Sequence, residues 1–297
     1  MECTELAPGI FHLQSGSNMG LVIRDDQALL IDAGLDDDAG RRALRIVEGK
    51  GVKLTAIFIT HAHADHFGGA RFLQRRLNVP LYAPKLEAAM MENPIIEPLY
   101  LFGGAAPIAE LRQKFTLAEP CQVTGTVDTG PLEIDVFQVD VVPLPGHAPN
   151  QVGVAVDEVL FCADAIFPQE TIEKHKVLFC VDLDRALETM RDLPHQPYQW
   201  FAPGHGPAYM QGEIEQISNA NQERLENVRE EVYEALDRPR GTSSLVQQIA
   251  ERFQLEITTP TAYFLTRTTV LAALSSLEAA GCVTVRTERN RLRWRRR

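Results

Sequence analysis

The 297-residue chain has no CxxC pair, no run near the roughly 18 apolar residues of a membrane-spanning helix, and little basic charge, with 29 Lys and Arg against 40 Asp and Glu. Cys3, Cys121, Cys162, Cys180 and Cys282 are scattered, which argues against a disulfide framework and leaves ordinary reduced or buried thiols. Cys162, inside an apolar run, is expected in the core. The opening Met1-Glu2-Cys3-Thr4-Glu5 lacks the charged and apolar regions of a secretion signal. These absences predict a cytoplasmic protein that neither crosses nor enters a membrane. At 45% hydrophobic residues, a chain of this length can bury one large core and a small second domain.

What the chain does have is histidine gathered in one place. Three of its eight histidines lie in Thr60-His61-Ala62-His63-Ala64-Asp65-His66, directly after the apolar run Ala56 to Ile59, which reads as a buried strand. In a chain leaving a strand extended, His61 and His63 point the same way, so both can reach one ion at about 2.0–2.1 Å. If Asp65 and His66 open a helix, they can reach a second.

Three further segments supply more ligand types. Pro145-Gly146-His147 follows the strand-like run Val136 to Leu144, and Pro203-Gly204-His205-Gly206-Pro207 follows Trp200-Phe201-Ala202. Between them, Val159-Leu160-Phe161-Cys162-Ala163-Asp164 is an apolar strand whose final carboxylate is aimed out of a sheet edge. Each of these alone would be an ordinary turn residue or helix cap. With the loop they make seven candidate ligands.

The ordered pattern HxHxDH, GH, D, GH resembles the metallo-β-lactamase superfamily over roughly residues 8–210. The resemblance implies an α/β fold, an αββα sandwich of two face-to-face mixed β-sheets with outer helices. It implies one metal held by His61, His63 and His147, a second by Asp65, His66 and His205, and Asp164 bridging them. Leu30-Ile31-Asp32-Ala33-Gly34 is similar to the family's LIDAG strand end. That leaves Asp32 either a partner that orients a metal-bound histidine or a turn residue before Gly34. Nitrogen and oxygen ligands without sulfur suit zinc, with iron or manganese as alternatives. A hydroxide bridging two such divalent ions would be the expected nucleophile, oriented by Asp65.

Within the superfamily, Asp164 is similar to the thioesterase, lactonase, nuclease and persulfide dioxygenase branches, while true β-lactamases commonly place cysteine there. The leading expectation is a dinuclear hydrolase of a small thioester or ester, resembling the hydroxyacylglutathione hydrolases. Phe167 to Lys176 does not match the Lys/Tyr segment with which those enzymes hold glutathione. Lys174 and Lys176 are candidates to meet an anionic substrate, although solvated surface lysines are the commoner case. The alternatives are an RNA or DNA phosphodiesterase and a mononuclear iron persulfide dioxygenase binding at His61, His147 and Asp164. His12, His175 and His195 fit no ligand position.

Along the chain, Gly9 to Ser15, Gly20 to Arg24 and Gln27 to Asp32 read as a strand meander. Asp36-Asp37-Asp38 precedes an expected helix through Val47, and another is expected after the metal loop through Gln74. Residues 85–119 form an apolar, Pro/Gly-punctuated insertion, in which Tyr100 and Phe102 line a pocket, meet a partner subunit or pack on the protein's own core. The expected division is a catalytic domain at 1–211 and a C-terminal domain at 212–297. The second part reads as a long amphipathic helix over Gly212 to Asp237, helices at Leu245 to Phe253 and from Thr258 to Ala280, and a hairpin turning at Thr287 to Asn290. It resembles the winged-helix domain appended to some hydrolases of this fold. Residues 283–297 hold seven Arg and one Glu, a local charge of +6 in a chain of −11, which raises a nucleic-acid reading. The expected recognition helix has Arg267 alone, so a scaffold or homodimer contact ranks ahead of nucleic-acid binding.

Overall fold

The computed structural model describes residues 1–297. Its first sheet has seven strands in sequence order: β1 (Glu2–Ala7), β2 (Ile10–Gln14), β3 (Met19–Arg24), β4 (Gln27–Ile31), β5 (Lys53–Phe58), β6 (Leu81–Pro84) and β7 (Gly125–Val127). The first four are an antiparallel meander, and β4 to β7 run parallel. The second sheet holds β8 (Gly130–Ile134), β9 (Phe137–Pro143), β10 (Val152–Val156), β11 (Val159–Ala163), β12 (Trp200–Pro203) and β13 (Tyr209–Met210). In it only β11 and β12 are parallel. A separate hairpin pairs β14 (Val283–Glu288) with β15 (Arg291–Arg296).

The helices are α1 (Asp37–Gly49), α2 (Ala64–Phe67), α3 (Ala70–Leu77), α4 (Lys85–Glu92), α5 (Ile96–Leu101), α6 (Gln169–His175), α7 (Leu183–Asp192), α8 (Gln211–Glu234), α9 (Thr242–Arg252) and α10 (Pro260–Ala279). Parallel pairing of β4 with β5 demands a crossover, and α1 supplies it. Asp36 caps this helix by accepting from Asp38 N and Ala39 N. Ala39, Ala43, Leu44 and Val47, spaced by three and four residues, bury one stripe of it against the first sheet.

Three apolar layers follow from this order. Between the sheets, Ile10, Val22, Leu29, Phe58, Val141, Val154 and Phe161 belong to one buried cluster. A second lies between the first sheet and α1, α3 and α4. A third runs without a break from Val142 and Leu160 through α7 and α8 to Val270, Leu274 and Val283. Two sheets face to face with helices outside give the αββα arrangement, and the expected division after residue 211 falls in the first turn of α8, with the third cluster spanning it.

The expected helix after the metal loop is two helices. Gly68 sits at the break, where an added Cβ would lie 1.9 Å from the Leu35 carbonyl oxygen. The 33–36 loop approaches so closely that the helix axis is interrupted there. The expected C-terminal helices are present with shifted ends. The first stops at Glu234, before Asp237, and the second is capped at Gly241, so Thr242 is already helical. Thr259 caps α10 by accepting from Ala262 N. Arg289 and Asn290, both at positive φ (50° and 61°), form the two-residue turn of the hairpin. Strand β1, which the sequence reading passed over, pairs with β2 at the sheet edge.

Candidate metal centre

Every candidate ligand follows the carboxyl end of a strand. His61, His63, Asp65 and His66 come after β5, His147 after β9, Asp164 after β11 and His205 after β12. Apolar strand residues hold these ends in the core, and the polar residue that follows each is the first free to leave it. Two residues at positive φ aim the carboxylates: Asp32 (φ 60°) directly after β4, and Ala163 (φ 48°) directly before Asp164. The bond from Asn18 N to Gly204 O (2.7 Å) and that from Val152 N to Thr60 O (3.2 Å) tie the sheets together here.

The seven side chains converge. Ligand atoms of His61, His63 and His147 lie within 4.8 Å of one another, as do those of His61, His66 and Asp164, and those of Asp65, His66 and His205. Asp164 is central: Oδ1 is 3.3 Å from His66 Nε2, while Oδ2 is 3.4 Å from His147 Nε2 and 3.5 Å from His205 Nε2. His63 Nδ1 and His147 Nε2 are 2.9 Å apart. His12 lies on β2, His195 in a short 3₁₀ turn and His175 on α6, all outside the cluster.

Hydrogen bonds outside the cluster turn the imidazole lone pairs inward. His147 Nδ1–H donates to Phe179 O (3.0 Å) and His205 Nδ1–H to Gly16 O (2.7 Å). Asp32 accepts from His66 Nδ1–H (2.9 Å) and from the Thr60 hydroxyl, whose oxygen accepts from His61 Nδ1–H at 3.1 Å. One carboxylate therefore orients two histidines, which resolves the open reading of Asp32 in favour of an orienting partner. With Nδ1 so engaged, Nε2 of His61, His66, His147 and His205 is the nitrogen each neutral ring offers to a metal.

Several positioning residues carried no signal in the sequence. Glu87, fully buried on α4, accepts from Ala62 N (2.9 Å) and Asn150 N (2.8 Å), joining the loop of His61 and His63 to the loop of His147. The Ser17 hydroxyl donates to Asp65 Oδ2 (2.8 Å). Asn18 Nδ2 donates to Pro203 O and Gly206 O, clamping the turn that carries His205. A Cβ on Gly204 would fall 2.2 Å from Asp164 Oδ1 and 2.7 Å from the His66 ring. The glycine of the second Gly-His pair thus makes room for two ligands.

The residues fit cations. His61 Nε2, His63 Nε2, His66 Nε2 and Asp164 Oδ1 are buried without a hydrogen-bond partner. Each orphan of this kind costs about 1–3 kcal/mol, so four together rival the ~5–15 kcal/mol of a whole domain's stability. Bound cations would remove that cost. Burial drives His61 far below the ordinary histidine range and His63 to about 3. For His205 burial also opposes the charge, but Asp164 and Asp65 outweigh it and push the ring to about 10. Asp164, Asp65 and Asp32 likewise raise His66 against its burial. The histidines in turn hold Asp65 and Asp164 well below the usual carboxylate range despite their burial.

The cluster opens on a cleft of about 990 Å³. Phe167, Val177, Leu178 and Phe179 line one side, and Leu255, Ile257 and Leu265 of the C-terminal segment face it. Beyond the cluster, its charged lining comprises Arg42, Lys114 and Lys174 together with Asp36, Glu97, Glu170 and Glu256. Lys176 is absent from the lining and donates to Gln254 O (2.8 Å). Tyr100 and Phe102 are also absent from it. Tyr100 packs on the core beside α1 and α3, and the Phe102 ring lies 5.3 Å from that of Phe264, so the insertion docks on its own chain.

The sequence profile of the Metallo-beta-lactamase superfamily matches residues 13–208. A ribonuclease J of Mycoplasma genitalium is 33% identical over 92 residues, 28% of this chain and 16% of that protein. The hydroxyacylglutathione hydrolase GloC of Haemophilus influenzae is 26% identical over 153 residues, 50% of this chain and 66% of that protein. The alignments thus span less than two thirds of these curated relatives. A solved β-lactamase domain protein from Burkholderia ambifaria superposes with a TM-score of 0.78 at 18% identity, covering 100% of this chain and 94% of that one, and so shares the fold. With the profile spanning all seven residues of the cluster, the chain belongs to the metallo-β-lactamase superfamily.

Proposed function

We propose that this protein is a dinuclear metal-dependent hydrolase of a small thioester or related ester. One observation carries the reading: seven convergent nitrogen and oxygen side chains, several oriented from behind, open on a cleft whose lining combines apolar residues with charges of both signs. His61, His63 and His147 would hold one divalent ion, Asp65, His66 and His205 the other, with Asp164 reaching both. Two such ions, zinc in our reading, lower the pKa of a water toward neutrality and polarise the substrate oxygen.

The protein's own groups set the rest. Asp65, held ionised and fixed by the Ser17 hydroxyl, orients the attacking water by accepting its hydrogen bond, and is too weak a base to retain the proton. The apolar walls take the acyl group and exclude bulk water. Lys174 meets an anionic carrier at the mouth. A polynucleotide would call for several basic groups on one face, and the cleft offers no such strip.

The superfamily supplies both hydrolases of hydroxyacylglutathione and ribonucleases among the relatives, so the test sets them side by side. Metal-loaded full-length protein is offered acyl thioesters and a labelled oligonucleotide in parallel. Hydrolysis of the thioester with the oligonucleotide intact is the expected result. Cleavage of the oligonucleotide alone would replace this reading with a phosphodiesterase. Iron at one ion per chain with oxygen uptake on a persulfide would replace it with a dioxygenase.

A further inference from the structure

Glu97 stands out among the buried acids. Its residue is 6% exposed, on α5 of the 85–119 insertion, and it lines the same cleft as His63, Asp65, His147 and His205. Glu87, the other buried acid of this region, has both oxygens taken up by backbone N–H groups. The Glu97 carboxyl has no hydrogen-bond partner in the chain and no cation beside it. Burial, with Asp65 and Glu87 nearby, pushes it well above the usual carboxylate range. A carboxyl so placed keeps little of its hydration and gains no partner from the chain in return. A group that faces a substrate cavity can instead recover a partner when the cavity fills.

We propose that Glu97 is a specificity-determining residue that accepts a hydrogen bond from a hydroxyl, amide or ammonium donor on the substrate. Neutral or ionised, the carboxyl keeps an oxygen that accepts from a substrate donor, and the ionised group can be satisfied in no other way. The inference rests on the ester-hydrolase reading and narrows it. The favoured esters carry an N–H or O–H group on the part that lies beside the metal centre, while the apolar walls hold the remainder. Discrimination arises because a substrate without the donor leaves the buried carboxyl unpaired in the complex.

The test pairs substrates with variants of the full-length, metal-loaded protein. Thioesters of equal acyl length, with and without a hydroxyl or amide N–H in the acyl group, are compared by kcat/KM. The wild type is expected to prefer the donor-bearing members by about tenfold or more, one hydrogen bond's worth. Glu97→Leu should erase that preference while leaving the plain esters within about threefold. Glu97→Gln, which retains an acceptor oxygen, should keep most of it. Tyr100→Phe removes the buried, unpartnered hydroxyl of α5 and should leave the preference for donor-bearing esters unchanged.

A second readout needs no substrate. Removing an unpaired buried carboxyl should raise the unfolding midpoint of Glu97→Leu by about 2 °C or more. If the wild type hydrolyses none of the esters, the hydrolase reading falls and the midpoint still decides whether Glu97 is unpaired. Equal loss on all esters in Glu97→Leu, or a lowered midpoint, would overturn the inference by showing a structural role.

Discussion

The protonation of the histidines is decided behind the site. Phe179 O, Gly16 O, Asp32 and Thr60 take the outward N–H of four rings, so the inward nitrogen of each is the one that gains or loses a proton and, once free of it, can hold a metal. In the metal-free protein, Asp164 and Asp65 keep His205 protonated up to about pH 10 against its burial. A cation bound there must displace that proton. Metal affinity should therefore rise with pH through the neutral range and level off as the His205 value is passed. Titration calorimetry in buffers of differing ionisation enthalpy should record net proton release at pH 7, and its absence would contradict the assignment. His63→Ala and Asp164→Ala should each reduce turnover by about 10³-fold or more, the several kcal/mol of charge stabilisation that a held ion supplies. The circular dichroism spectrum should stay native.

At this scale the converging side chains were legible and their supports were not. Histidine and aspartate at HxHxDH, GH, D and GH carry their chemistry in their identity. Glu87, Ser17 and Asn18 are common residues that act through contacts with residues 25, 48 and 185 positions away, or more. No local pattern encodes such a contact. Glu87→Gln turns an amide nitrogen toward one of two buried N–H donors. It should cost about 1–3 kcal/mol in urea unfolding and weaken metal binding by about 10-fold to 100-fold, as loss of an orienting partner does.

Among the elements, the start of α10 and the hairpin turn were read more accurately than the start of α9 or the break after the metal loop. Thr259 and the Arg289-Asn290 turn follow local rules of capping and twist. The break between α2 and α3 depends on the loop at Leu35 pressing on Gly68, a contact across the chain that helical periodicity cannot express. Gly68→Ala would need that loop to move, and about 1–3 kcal/mol or more should be lost in denaturant unfolding. Because α2 carries Asp65 and His66, the same variant should also lose metal at the second position. Unchanged stability would show that the loop gives way freely.

For the whole molecule, the second sheet does not have a complete core until α8 and α10 cover it. Ile214, Ile217, Leu225, Val228 and Val232 of α8 lie in one buried cluster with Leu160, Phe201 and Leu187. A chain ending at Met210 should expose that face and bind a hydrophobic dye without a cooperative melt. A sharply melting, dye-silent fragment would contradict this. The Arg-rich end is partly used within the protein. Arg296 lies 2.9 Å from Glu234 and stacks 4.3 Å from the Tyr233 ring centre, and Trp294 exchanges backbone bonds with Arg240. No helix is long and apolar enough to cross a membrane. Composition conveyed that, whereas the shared core was hidden because residues such as Leu160 and Val228, 68 positions apart, join one cluster only in the fold.

The central claim is that seven side chains enclose two ions on which ester hydrolysis depends. Its most direct test is elemental analysis of full-length protein purified without added metal, followed through graded chelation with thioester hydrolysis measured on the same samples. The account predicts about two divalent ions per chain at full activity, the occupancy for which a paired-metal hydrolytic site is built, with activity falling as they leave and returning when they are restored. Full activity in exhaustively chelated, metal-free protein would contradict it.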